Sequence, residues 1–381
     1  MEKRRVYFDN AATTPIAPEV VEAVTKVMTD VFGNPSSIHA YGREARSIIE
    51  KARRNVAKSI NALPGEVFFT SGGTEADNMA IRCSVEDLGV ERIITSPLEH
   101  HAVLHVAEDI AARGKAELQF VEVDNKGYVD LNHLEELLKN TNKKTLVSLM
   151  HANNEIGNLT DIKNVGALAK QYGAYFHTDT VQTMAHFPID VKDIQADFIT
   201  CSAHKFHGPK GIGFLYINNE VKIKPLIHGG AQERNMRAGT ENIYGIVGLD
   251  KALQLAVENM EEHQAHVKGI KDYMIAKLEE ELEGVQFNGD PKGNSLYTVL
   301  NVRLPESEKG EMMLFNLDIQ GVACSGGSAC SSGSDVGSHV LKALGVDASR
   351  PSVRFSFSRY NTKEEVDYVV EVLKEIYGVT A

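Results

Sequence analysis

Residues 197–211 read DFITCSAHKFHGPKG, an apolar run that ends on Ser202, His204 and Lys205 and breaks at a Gly-Pro-Lys-Gly turn. The apolar run predicts a strand, and its end delivers all three side chains into one turn. A lysine held there can carry a Schiff base, because an amine kept out of water or beside another cation gives up its proton readily. Taken alone, one lysine in a turn is ordinarily a solvated surface residue.

Two stretches upstream change that reading. HTDTVQ (177–182) puts Asp179 at or just past the end of another predicted strand, with Gln182 close behind it. Ligands bind at that edge of α/β sheets, although a helix-capping aspartate is the plainer alternative. FFTSGGTEADN (68–78) runs a strand into Ser71-Gly72-Gly73-Thr74 and then opens a helix. The free N–H groups of such a start receive phosphate, and Thr74 with Asp77 could equally be a simple N-terminal cap. A lysine for a Schiff base, an aspartate to hold a pyridinium proton and a glycine-rich helix start for a phosphate are together what pyridoxal 5'-phosphate requires.

The same rhythm extends in both directions. EVFFTS, RIITSP, LQFVEV, TLVSLMHA and AYFHTDT read as strands, separated by amphipathic stretches such as HAVLHVAEDIAARG and IKNVGALAKQYG. Strand alternating with helix predicts an α/β protein with a mostly parallel mixed sheet flanked by helices. We place that large domain at residues 13–254. The pattern NIYGIVGLDKALQLAVENMEEHQAHVKGIKDYMIAKLEEELEG has no strong breaker and predicts one long helix leading out of it. SLYTVLNVRLP, VRFSFS and the helical TKEEVDYVVEVLKEIYG then predict a smaller α+β domain, made of residues 1–12 and 255–381.

Composition excludes several partners. With 52 acidic against 40 basic side chains the net charge is −12, so nucleic acid and an anionic membrane surface would be repelled. No run of about 20 apolar residues occurs, and a cytoplasmic protein is expected. Four cysteines (Cys83, Cys201, Cys324, Cys330) do not make a disulfide framework or a zinc knuckle. Cys83 and Cys201 lie in apolar patterns and are expected to pack, and Cys324 is expected to be structural. Cys330 differs: SGGSACSSGS (325–334) offers a thiol almost nothing to pack against.

These stretches, together with YFDNAATTP, FGNPSSIHAYG, EHHAVL, MHANNEIG, MRAGTEN and SVRFSFSR in this order, span about Val6 to Tyr377. The chain resembles the class I cysteine desulfurases (NifS/IscS-type) of the fold type I pyridoxal-phosphate enzymes. The resemblance implies that Lys205 carries the cofactor, Asp179 partners the pyridine nitrogen, Gln182 donates to the phenolic oxygen and His100 stacks on the ring. Gly73, Thr74, Ser202 and His204 match the phosphate cup, and Thr240 matches a residue supplied by the second subunit of a homodimer. Arg354 matches the guanidinium that grips the substrate carboxylate, with Asn154 assisting beside the cofactor. Cys330, in a loop at about 322–338, matches the thiol that takes sulfur from L-cysteine as a persulfide and leaves L-alanine. His100 is also the expected proton carrier at the substrate thiol.

The implied sulfur acceptor is an iron–sulfur scaffold or a thiolation enzyme. The sequence ends at Ala381, short of the tail with which many members dock on the general scaffold, so direct handover there is not implied. No metal is expected: adjacent side chains at His100 and His101 diverge. A selenocysteine lyase or other pyridoxal-phosphate lyase is the enzymatic alternative, and a catalytically silent scaffold is the non-enzymatic one. A scaffold has no physical need for Lys205, Asp179, His100, Arg354 and Cys330 together.

Overall fold

A computed structural model describes residues 4–307, 310–326 and 337–378. Among these, seven strands form one sheet in the order Val67–Thr70, Gly213–Ile217, Phe198–Ser202, Tyr175–Asp179, Thr145–Ser148, Arg92–Thr95, Glu117–Phe120. Neighbours from Phe198–Ser202 to Glu117–Phe120 pair in parallel, and Gly213–Ile217 runs against both strands beside it. The inner strands Thr145–Ser148 and Phe198–Ser202 are buried at every position because both faces are covered, as parallel sheets require. Alternate side chains go to opposite cores. Ile199 and Phe214 join the helices Ala40–Ser59 and Ile243–Glu258, whereas Phe198 and Leu215 join the helix Gly73–Glu86. Each such fully buried side chain contributes about 2–3 kcal/mol.

A second cluster holds Val6, Phe8, Met274, Phe355 and Val369 together. It lies on a three-stranded antiparallel sheet, Ser352–Ser356, Val299–Arg303 and Gln286–Asn288, and the helices Met260–Glu281 and Lys363–Tyr377. Val6–Tyr7 pairs in parallel with Val322–Ala323, which brings the start of the chain into this unit. We propose the two-domain division on these two clusters.

The long helix expected across the boundary is two helices, Ile243–Glu258 and Met260–Glu281. Asn259 separates them at φ −115°, ψ 21°, with its Nδ2 donating to Leu255 O at 2.8 Å. An asparagine side chain that satisfies the backbone locally competes with the helical ladder. The break between the helices therefore lies at Asn259.

At the carboxyl edge of the sheet Gly213 faces both Thr70 and Ser202. A Cβ there would meet Cys201 O at 2.2 Å and Gly72 Cα at 3.0 Å. Only a glycine lets these strands close beside the turn that opens the helix Gly73–Glu86. Gly213→Ala is expected to lose about 3 kcal/mol by forcing the strands apart. Denaturant unfolding checks it, and an unchanged midpoint would show that the edge relaxes freely.

Candidate active site

The strands end at one edge, and the residues just beyond them line a cavity of about 220 Å³. Gly73 and Thr74 follow the strand Val67–Thr70, His100 follows Arg92–Thr95, and Asn154 follows Thr145–Ser148. Asp179 and Ser202 end their own strands, with Gln182, His204 and Lys205 in the turns after them. Arg354 enters from the small sheet. Spacing in sequence does not gather these residues; common sheet direction does.

Lys205 stands in the short turn Ala203–Lys205, its Nζ donating to Ala11 O at 2.5 Å and Ala12 O at 2.9 Å. Gln182 Nε2 donates to the same Ala11 O at 3.0 Å. Asp179 is buried, and its Oδ1 accepts from Val181 N at 2.8 Å rather than capping a helix. Burial, then the neighbouring Asp77 carboxyl, pushes the Asp179 carboxyl up to about 7. Asp77 also lines the cavity, near His177 Nε2 at 3.3 Å, and burial raises it likewise.

His100 caps the helix His101–Ala112, its Nδ1 accepting from Ala102 N at 3.1 Å. That contact leaves the proton of the neutral ring on Nε2. Burial, then the charge of Lys205, pushes its pKa down to about 4, so the ring is neutral near pH 7. His204 is held through Nδ1 to Thr13 Oγ1 at 3.1 Å and is likewise pushed down to about 4 by burial and then Lys205.

The helix Gly73–Glu86 starts from Gly72 at φ 153°, with no side-chain cap. Thr74 is inside the first turn, so the capping alternative does not hold, and the first N–H groups lack intrahelical partners. Arg354 is 1% exposed. Its Nη1 donates to Asn154 O at 3.0 Å and its Nη2 to Asp9 Oδ1 at 2.9 Å, leaving Nε without a hydrogen-bond partner among the described residues. A buried guanidinium with an open donor is suited to a carboxylate.

Thr240 is exposed and outside this cavity. Cys330 lies outside the described residues. The described residues on either side of its stretch both reach the Arg354 end: Ser325 Oγ donates to Asp9 Oδ1 at 2.8 Å, and Ser338 Oγ donates to Glu155 Oε2. Cys83 and Cys201 are buried, and burial pushes the Cys324 thiol up to about 12, which leaves it protonated near pH 7.

Asp9, Asp77 and the carbonyls of Ala11 and Ala12 are not among the site residues expected from the sequence. Asp77 was legible only as a capping partner; its place on the inner face of the helix, on the same side as Gly73, was the available signal. Backbone carbonyls carry no residue-type signal at all.

The donor set fits a phosphorylated pyridine aldehyde: an amine, a buried carboxyl for a ring nitrogen, an imidazole, and a glycine turn at a helix start. A mostly parallel sheet with that set at its carboxyl edge defines the fold type I class. The aminotransferase class-V description matches residues 6–369. The chain belongs to that family, among its cysteine desulfurases. It is similar to cysteine desulfurase IscS of Dictyoglomus turgidum, 46% identical over 379 residues, 98% of this chain and 95% of the relative. It is also similar to cysteine desulfurase IscS of Methanosarcina thermophila, at 45% over 380 residues, 98% and 92%. A solved NifS-like protein superposes with a TM-score of 0.90 at 37% identity, covering 99% of this chain and 100% of that one.

The Asp179 carboxyl moves from 3.8 to about 7 on folding, so the folded state holds its proton more tightly. Its burial therefore costs stability progressively as pH rises through that window, and the full cost applies above it. Asp179→Asn apoprotein is expected to melt above the parent near pH 8 and level with it near pH 4. A variant that melts below the parent at the higher pH would show that the carboxylate is stabilised instead.

Proposed function

We propose that this protein is a pyridoxal-phosphate-dependent cysteine desulfurase that converts L-cysteine to L-alanine and holds the sulfur as a persulfide on Cys330. The observation that carries the reading is the convergence of Lys205, Asp179, His100 and Arg354, from four separate segments, on one cavity.

Pyridoxal phosphate, when bound, supplies an electron sink for negative charge at the amino acid's Cα. Lys205 Nζ would hold it covalently, and the free amine would be the base for the Cα proton. Asp179 would keep a proton on the pyridine nitrogen, and Gln182 would donate toward the phenolic oxygen. Gly73, Thr74, Ser202 and His204 cup the phosphate. Arg354 binds the substrate carboxylate, with Asn154 beside it. His100, neutral with its proton on Nε2, would lie against the ring and exchange protons at the substrate thiol.

The Cys330 thiolate attacks the substrate Sγ. The S–S bond forms as Cβ–Sγ breaks, the electron pair goes to carbon, and a proton completes the methyl group of alanine. One substrate thiol and one protein thiol thus give alanine and one persulfide, with no external oxidant. Arg354 supports this geometry, because it fixes the substrate carboxylate at the same end of the cavity where Ser325 and Ser338 bracket the Cys330 stretch.

Thr240 completes the phosphate site of a second copy in a homodimer, which accounts for its exposed place here. An iron–sulfur scaffold or a thiolation enzyme takes the sulfur onward. No helix among the described residues is long and apolar enough to cross a membrane, and the reading includes a cytoplasmic site of action.

Purified protein is expected to absorb near about 400 nm when the cofactor is bound through Lys205. Lys205→Ala should lose both the band and all turnover. Cys330→Ser should keep the band yet yield neither alanine nor sulfide from L-cysteine. Full activity in Cys330→Ser would falsify the persulfide route, and absence of a band after adding cofactor would overturn the site itself.

A further inference from the structure

Glu75 stands in the first turn of the helix Gly73–Glu86 but does not line the cavity that Gly73 and Thr74 line. Its carboxylate turns back, Oε2 accepting from Ser71 N at 2.9 Å. Arg237 caps it from outside, Nε donating to Oε1 at 2.9 Å and Nη2 to Oε2 at 3.2 Å.

Arg237 is held in place by an unusual piece of chain. Glu233, Arg234 and Asn235 lie at φ 44°, 56° and 65°, a left-handed turn that L residues adopt only at a cost. A buried pair holds the turn: Arg53 Nη1 and Nη2 donate to the Glu233 carboxylate at 2.7 and 2.8 Å, and Phe69 N donates to it at 2.9 Å. The strand that leads into the glycine turn is thereby fastened to the segment that presents Arg237.

The electrostatic consequence is specific. An ionised carboxylate at a helix start draws on the same positive end that receives a phosphate, and the two anions also repel. Burial pushes the Glu75 carboxyl up, but Arg237 and the Ser71 N–H outweigh burial and leave it below its ordinary value, hence ionised. A charge that would oppose the phosphate is therefore present and needs a counter-charge. We propose that Arg237 is a positioning residue that neutralises Glu75 and so reserves the start of the helix Gly73–Glu86 for the cofactor's phosphate. The inference rests on the cofactor reading above.

Apoprotein titrated in parallel with pyridoxal phosphate and with pyridoxal, which lacks the phosphate, separates this role from a structural one. Binding is followed by absorbance, without turnover. Arg237→Gln is expected to weaken pyridoxal phosphate about tenfold and pyridoxal less than about threefold, with the difference shrinking as salt rises. Glu75→Gln, which still accepts from Ser71 N, should bind pyridoxal phosphate as tightly as the parent or more so. The double variant should return to within about threefold of the parent. Arg237→Lys keeps the charge and should rescue most of the affinity, which covers the case in which Arg237→Gln fails to fold. Equal losses for pyridoxal and pyridoxal phosphate in Arg237→Gln, or a loss in Glu75→Gln as large as in Arg237→Gln, would overturn the inference. A parent chain that binds neither compound would overturn the cofactor reading, and this inference with it.

Discussion

The cavity exists because residues 9–14 cross from one hydrophobic core to the other over the ends of the strands. Phe8 is buried in the second core, and Ala17 in the first. Between them the chain is fastened at nearly every residue. Asn10 Nδ2 donates to Ser356 O at 2.9 Å, and Ala11 N donates to Ser356 Oγ at 2.8 Å. Thr14 N donates to His204 O at 2.9 Å, and Thr14 Oγ1 accepts from His207 N at 2.8 Å. Loose backbone at this place would leave the carbonyls of Ala11 and Ala12 unplaced, and with them the amine of Lys205. The crossing stretch also carries Asp9, the counter-ion of Arg354. One strap therefore places both cations of the site, the amine of Lys205 on one side and the guanidinium of Arg354 on the other.

That arrangement concentrates ionisable groups where water is scarce, and the consequences run in opposite directions for acids and bases. Burial raises both Asp77 and Asp179, and the neighbouring Asp77 carboxyl raises Asp179 further. The imidazoles of His100 and His204 are held neutral by burial and the nearby lysine. This is the tension expected where function is held against stability.

Much of this was legible in the sequence, for a physical reason. Parallel strands announce themselves as apolar runs, and the candidate side chains come directly after them, so Asp179, Ser202, Lys205 and Gly73 could be read from local pattern, whereas His100 came only from the family resemblance. What failed to show was of two kinds. Groups without residue identity, such as the carbonyls of Ala11 and Ala12, leave no mark in a sequence. Groups whose role depends on distant partners were visible but mute: Asp9 sits in YFDNAATTP with nothing beside it to suggest Arg354, which lies 345 residues away. Asn259 shows a third case. A residue compatible with helix on propensity alone ended one, because its side chain found a carbonyl four residues back.

Arg354 belongs to two structures at once. Its backbone N donates to Ser325 O at 2.6 Å, and its carbonyl accepts from Ser325 N at 3.2 Å. Its side chain meets the Asp9 oxygen to which Ser325 Oγ also donates. The residue that would bind the substrate carboxylate is thus bonded, through backbone and side chain both, to the last described turn before the Cys330 stretch. On the far side of that stretch Ser338 is tied to Glu155, the neighbour of Asn154, whose carbonyl accepts from the same guanidinium. Fixing the carboxylate of an amino acid at Arg354 fixes the direction in which its side chain points from Cα. The same contacts hold the described residues on both sides of the Cys330 stretch, so on the proposed reading substrate orientation and thiol delivery would share one reference point.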